Sequence, residues 1–89
     1  MARKPPNKFR SAARSAKGVR SVLLRLGRRV RALRNKQGLS QEKLSEKMGL
    51  DAKHLQLIES AKTNPTVATL VAVARGLGVQ LADLLRSDP

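Results

Sequence analysis

The stretch LSQEKLSEKMGLDAKHL, residues 39–55, decides the fold. Within it Leu39 and Leu44 bracket Ser40, and Leu50 and Leu55 bracket Asp51. An apolar residue before a cap and another at the fourth helical position close the chain over a helix start. Ser and Asp cap well because their side-chain oxygens accept the first free amides. Two helices are expected, over about 41–48 and 52–60. Only Gly49-Leu50 and the Asp51 cap join them, and so brief a turn makes two helices cross steeply instead of lying antiparallel. Gly49 supplies the positive φ that such a turn needs, and small Ser45 lets the second helix approach the first. Leu44, Met48, Leu55 and Ile58 are the side chains expected to lock the pair together.

Working outward, Val19, Val22, Leu23, Leu26, Val30 and Leu33 recur in steps of three and four, the stripe of an amphipathic helix over about 20–37 that ends at Gly38. Gly27 sits in its middle at a cost of about 1 kcal/mol against Ala, which leaves Gly27 as an alternative start. Downstream, Asn64-Pro65-Thr66 reads as a turn and cap, followed by Val67, Leu70, Val71 and Ala74 in a helix over about 67–75 that stops at Gly76. Val79 and Leu84 bracket a weaker cap at Gln80, opening a final helix over about 81–86. No strand-like alternation between hairpin turns occurs, so the class is all-α. Helices this short are unstable singly and must bury their stripes against one another in one bundle.

With 89 residues the chain is long enough for one small core and too short for a large catalytic domain with a regulatory module. Nineteen Lys and Arg against six Asp and Glu leave a net charge of +13. Residues 1–38 hold thirteen of the bases and no acid, while residues 39–89 hold six of each. The organisation expected is a basic flexible arm, 1–18, ahead of a folded unit, 19–86. That excess points to a polyanion, nucleic acid first and an anionic membrane surface second. No Cys and a single His leave little material for a metal site, a thiol nucleophile or acid-base catalysis, so an enzyme is not expected. One Phe argues against modules that stack single-stranded bases on rings, which favours duplex. The acid-free N-terminus also looks like a transit peptide, but it runs without a break into apolar positions that the core needs. No apolar run approaches the roughly 20 residues that span a bilayer.

The segment from Leu26 to Leu85, about two thirds of the chain, resembles the XRE or Cro/cI-type helix-turn-helix family of λ-repressor-like DNA-binding domains. The most specific pieces are LSQEKLSEKMGL at 39–50, LIESAKTNPT at 57–66 and ARGLGVQLADLL at 74–85. The resemblance implies a five-helix domain whose third helix enters the major groove while the second crosses above the backbone. It assigns base contacts to Ala52, Lys53, His54 and Leu57. It assigns backbone contacts to Ser40, Gln41, Arg34, Lys62, Thr63 and Asn64, with Gln41 holding a phosphate at a helix N-terminus. Lys53 suits guanine O6 or N7, His54 a base edge or phosphate, and Ala52 or Leu57 a thymine methyl. Arg34 and Glu59 match a pair that ties helix one to helix three and presents the guanidinium to DNA, so Glu59→Ala is expected to weaken both folding and binding.

Two departures stand out. Leu57 lies where a polar or basic side chain is usual, so it either reads a methyl group or belongs to a protein contact. Ala61 replaces the Gly usual before Lys62, at a cost of roughly 1 kcal/mol in a left-handed cap, which points to an altered turn. The family implies a cytoplasmic, nucleoid-associated repressor or autoregulator of bacterial or phage type, homodimeric here through Val79, Leu81, Leu84 and Leu85. It would bind double-stranded DNA with no cofactor, metal or small-molecule ligand. Arg3, Lys4, Lys8, Arg10, Arg14 and Lys17 of the arm would follow the backbone or enter a minor groove. Two rivals remain. One is an antitoxin-like or bridging module of the same fold with only nonspecific nucleic-acid binding, favoured by Leu57. The other is a basic amphipathic helix lying on a membrane surface.

Overall fold

Five helices make up the computed structural model of the chain, which describes residues 16–86: α1 (Ala16–Lys36), α2 (Gln41–Met48), α3 (Ala52–Glu59), α4 (Val67–Leu77) and α5 (Leu81–Leu85). Among the described residues there is no strand. The caps are those the sequence announces. The Ser40 side chain accepts from the Lys43 amide at 3.0 Å, Asp51 Oδ1 from the His54 amide at 2.9 Å and Thr66 Oγ1 from the Thr69 amide at 3.1 Å. At Gln80 the capping runs the other way, its own amide donating to Asp83 Oδ2 at 2.9 Å. Replacing Asp51 by Ala is expected to cost about 1 kcal/mol, which for a domain of this size lowers the melting temperature by about 4–8 °C. A thermal melt checks this, and an unchanged midpoint would show that solvent serves the amide equally well.

The turn between α2 and α3 is also as expected. Gly49 stands at φ 71° and donates to Glu46 O, and Leu50 donates to Ser45 O at 3.0 Å, so the last carbonyls of α2 are satisfied within the turn. Leu26 and Val30 of α1, Leu44 and Met48 of α2, Leu55 and Ile58 of α3, Leu70, Val73, Ala74 and Leu77 of α4, and Leu84 of α5 form one buried cluster. Leu39, Leu50 and Val79, each preceding a cap, pack half-buried against it. Helix α1 lies against α3, α4 and α5, while α2 packs on both α3 and α4.

Three expectations are corrected. Helix α1 begins at Ala16 rather than near residue 20 and runs unbroken through Gly27. Its first two turns overhang the bundle, so Val19 and Leu23 are half-buried and Val22 is exposed. Gly76 does not stop α4. It is a buried helical residue, where an added Cβ would stand 3.0 Å from Met48 Cγ and 3.1 Å from Leu44 Cδ1, and the stop is Gly78 at φ 69°. Leu84 cannot serve a dimer contact, because at 1% exposure it belongs to the core. Val79 and Leu81 also pack on that core, which leaves Leu85 as the exposed member of the four.

Gly27 takes a different role from the one its low helix propensity suggests. It is buried against the last turn of α3, where an added Cβ would lie 2.6 Å from Glu59 O and 2.8 Å from Ile58 O. The missing side chain is what lets the two backbones approach so closely. Polar ties hold α1 to the rest: Arg29 Nε donates to Asp83 O at 2.9 Å and Gln37 Nε2 to Leu77 O at 2.7 Å, the latter meeting a carbonyl at the end of α4.

Candidate nucleic-acid interface

Because Leu55 and Ile58 turn one face of α3 into the core, the opposite face of the same helix must meet solvent. On that side Lys53 and Gln56 are exposed, while Ala52, His54 and Leu57 are half-buried. Beside them lies an open recess of about 260 Å³ lined by Arg31 of α1, Gln41 of α2, Lys53, Gln56 and Leu57 of α3, and Ser60 and Lys62 after it. Three cations and two amides therefore face one depression, and among the described residues no carboxylate lines it.

Glu59 lies at the junction beneath, its side chain fully buried. Arg34 grips it with two hydrogen bonds, Nε to Oε2 at 2.7 Å and Nη2 to Oε1 at 3.0 Å, and spends Nη1 on Leu39 O at 2.8 Å. Gln41 Nε2 adds a bond to Oε1 at 3.1 Å, and Arg31 Nε stands 3.5 Å from the same oxygen. One carboxylate thus ties α1, α2 and α3 together. Burial alone would push its carboxyl pKa up, but the bonds from Arg34, Gln41 and Arg31 outweigh it, and the group is held below the ordinary glutamate value of 4.5. The Arg34 guanidinium is correspondingly raised by its bond to Glu59, which exceeds the opposing effect of burial.

A carboxyl with a lowered folded pKa contributes stability that is present above the unfolded value and lost as pH falls through the folded one. Melting between about pH 3 and pH 7 should show stability declining below the ordinary glutamate range, and Glu59→Gln should flatten that part of the profile. An identical acid limb in both proteins would remove Glu59 as its source.

After α3 the chain turns sharply. Ala61 takes φ 59°, so it adopts the left-handed conformation that glycine usually fills. Its methyl is buried, at 2% residue exposure, which offsets part of the backbone cost. The Ala61 amide donates to Ile58 O at 3.1 Å and the Lys62 amide to Leu57 O at 2.8 Å. Lys62 and Asn64 emerge exposed and Thr63 half-buried, all on the segment that leaves the recess.

A short helix that ends in Gly49, turns through two residues and restarts at an Asp51 cap is a helix-turn-helix, and the comparisons agree with it. The helix-turn-helix family model matches residues 30–84. The chain belongs to the XRE-type helix-turn-helix family. This helix-turn-helix chain is 37% identical over 63 residues to the immunity repressor protein of Bacillus phage phi105, covering 71% of its own length but 44% of that protein, so it spans under half of that relative. It is 37% identical over 60 residues to control protein C.SmaI of Serratia marcescens, covering 67% of this chain and 71% of that one. Among solved structures, the restriction-modification controller protein C.AhdI from Aeromonas hydrophila superposes with a TM-score of 0.70 at 31% identity, over 72% of this chain and 97% of that one.

Measured against the helix-turn-helix pattern, the structure brings Gln41, Lys53, Leu57 and Lys62 onto one recess, with Thr63 and Asn64 following Lys62, and keeps Ser40 as the exposed cap of α2. Arg34 is turned inward onto Glu59 and only 13% of its side chain is exposed, so the cation presented outward at this junction is Arg31, at 55%. Sequence reasoning passed over Arg31, Gln56 and Ser60, yet periodicity carries the signal: Arg31 precedes Arg34 by one helical turn, and Gln56 follows Lys53 by one. Of the arm, Arg3, Lys4, Lys8, Arg10 and Arg14 lie outside the described residues, and Lys17 falls within the first turn of α1. Among the described residues no helix is long and apolar enough to cross a membrane.

Proposed function

We propose that this chain is a sequence-specific, double-stranded-DNA-binding transcriptional regulator, a repressor or autoregulator working at the nucleoid in the cytoplasm. The observation that carries this reading is the outer side of α3, where Lys53 and Gln56 are exposed beside the recess of Arg31, Gln41, Lys53 and Lys62, which no carboxylate among the described residues lines. Lys53 and Gln56 bond base edges, with His54 reaching an edge or phosphate and Ala52 and Leu57 packing on a thymine methyl. Ser40, Gln41, Arg31, Lys62, Thr63 and Asn64 hold phosphates on either side, while Arg34 keeps the junction in register. The basic arm, with Arg3, Lys4, Lys8, Arg10 and Arg14 ahead of α1 and Lys17 in its first turn, adds sequence-independent attraction.

The protein acts as a homodimer, which sets two copies of α3 about 34 Å apart on half-sites one helical turn apart. Exposed apolar side chains support this: Leu85 on α5 at 42%, and Val67 and Val71 on α4 at 67% and 39%. The antitoxin-like or bridging reading retains one observation, the apolar Leu57 among cations.

Selection of bound duplexes from a random library, with sedimentation for subunit number, decides between them. A recovered pseudo-palindromic motif supports the regulator, and recovery of no motif ends the sequence-specific reading. With six or more phosphates engaged, affinity should fall on the order of a thousandfold between about 50 and 200 mM salt. Removal of residues 1–15 should make that slope shallower, and an unchanged slope would exclude the arm from the interface.

A further inference from the structure

We propose that Arg20 is a positioning residue that holds the turn carrying Lys62, Thr63 and Asn64 in the shape in which it meets the DNA backbone. This deepens the DNA-binding reading and rests on it for its effect on affinity. The juxtaposition behind it belongs to the overhang of α1, which the family match, beginning at residue 30, does not include. Arg20 lies seven residues before Gly27, so two helical turns put both on the same side of α1. Gly27 brings that side against the end of α3, and the Arg20 guanidinium, through Nη1, donates to the carbonyl of Ala61.

That carbonyl belongs to the peptide group joining Ala61 to Lys62. The N–H of the same group donates to Leu57 O at 2.8 Å. The plane is therefore gripped at both ends, on one side by the recognition helix and on the other by Arg20. It needs the grip because Ala61, at φ 59°, occupies a conformation that an L-residue other than glycine adopts at a cost. Helix α3 also has no basic residue in its own last turn, so a cation at its negative end must come from elsewhere, and Arg20 is one that does so.

Arg20→Ala and the double variant Arg20→Ala with Ala61→Gly separate this role from a direct phosphate contact, since glycine accepts the left-handed conformation without help. Two readouts are needed: duplex affinity as a function of salt, and hydrogen exchange of the Lys62 amide in the free protein. Arg20→Ala should bind about tenfold more weakly, with a salt slope reduced by about one phosphate, and the Lys62 amide should exchange faster. The double variant should recover both. Loss of affinity with Lys62 exchange unchanged, or with no recovery in the double variant, would make Arg20 itself a phosphate contact and overturn the proposal, as would Arg20→Ala behaving like the parent in exchange. If the parent protein shows no duplex binding, it is the DNA-binding reading that fails. The exchange measurement then still decides whether Arg20 holds the turn.

Discussion

Glu59→Ala is expected to lower stability by about 3 kcal/mol, at the lower end of what breaking a buried ion pair costs, because it leaves the other charge without its partner. The stranded groups are Arg34, with 13% of its side chain exposed, and the Gln41 amide, both of which lose their bonds to Glu59 together. For a domain of this size the melting temperature should fall by more than about 10 °C, a loss that a total stability of about 5–15 kcal/mol leaves little room to absorb. Duplex binding should weaken as well, since the same carboxylate sets where Arg31 and Gln41 stand on the recess. Exchanging both Arg34 and Glu59 for Met separates the two effects. Apolar replacement of a whole buried pair is often neutral for stability, so the melt should recover much of its loss while binding stays impaired. A Glu59→Ala protein that melts and binds like the parent would show that the junction is held by apolar packing alone.

Gly27→Ala is expected to destabilise, against the sign that helix propensity assigns to it. In an open helix interior the change gains about 1 kcal/mol. Here the new methyl would stand 2.6 Å and 2.8 Å from the backbone oxygens of Glu59 and Ile58, and backbone cannot swing aside as a flexible side chain can. The end of α3 must move, and overpacking of this kind costs about 1–3 kcal/mol or more, so a net loss of about 2 kcal/mol is expected from a thermal or urea melt. Ala32→Gly, on the exposed face of the same helix, calibrates the propensity and should cost about 1 kcal/mol. If Gly27→Ala instead raises the melting temperature, α1 and α3 are not in close approach.

The starts of α2 to α5 were legible because capping is local, whereas that of α1, expected from apolar spacing alone, was misplaced. Ser40, Asp51 and Thr66 each act on an amide three residues on, so their effect needs no knowledge of the rest of the chain. The two-residue turn at Gly49 is local in the same way. What spacing leaves open is which of several apolar or small residues a neighbouring helix will cover. Gly76 and Gly78 are both helix-stop residues by type, and only the approach of Met48 and Leu44 to Gly76 makes it a packing site while Gly78 takes the left-handed cap. Leu84 and Leu85 are identical in chemistry, and the packing of α5 on α1 and α4 sends one into the core and the other to solvent.

The same division runs through the candidate site. The pairing of Arg34 with Glu59 was readable only through a family resemblance, because twenty-five residues separate them. Its elaboration by Gln41 and Arg31, and the inward turn of Arg34, come from the meeting of three helices. By itself the sequence determined five helix-forming segments, the N-terminal caps of the last four, the tight turn and a charge excess confined to the first thirty-eight residues, since each depends on neighbours along the chain. The tertiary structure alone decided that Gly27 is a contact, that Ala61 can stand in for glycine, and which cations reach the recess. Those depend on distances between segments, which interhelical packing sets and local order along the chain does not encode.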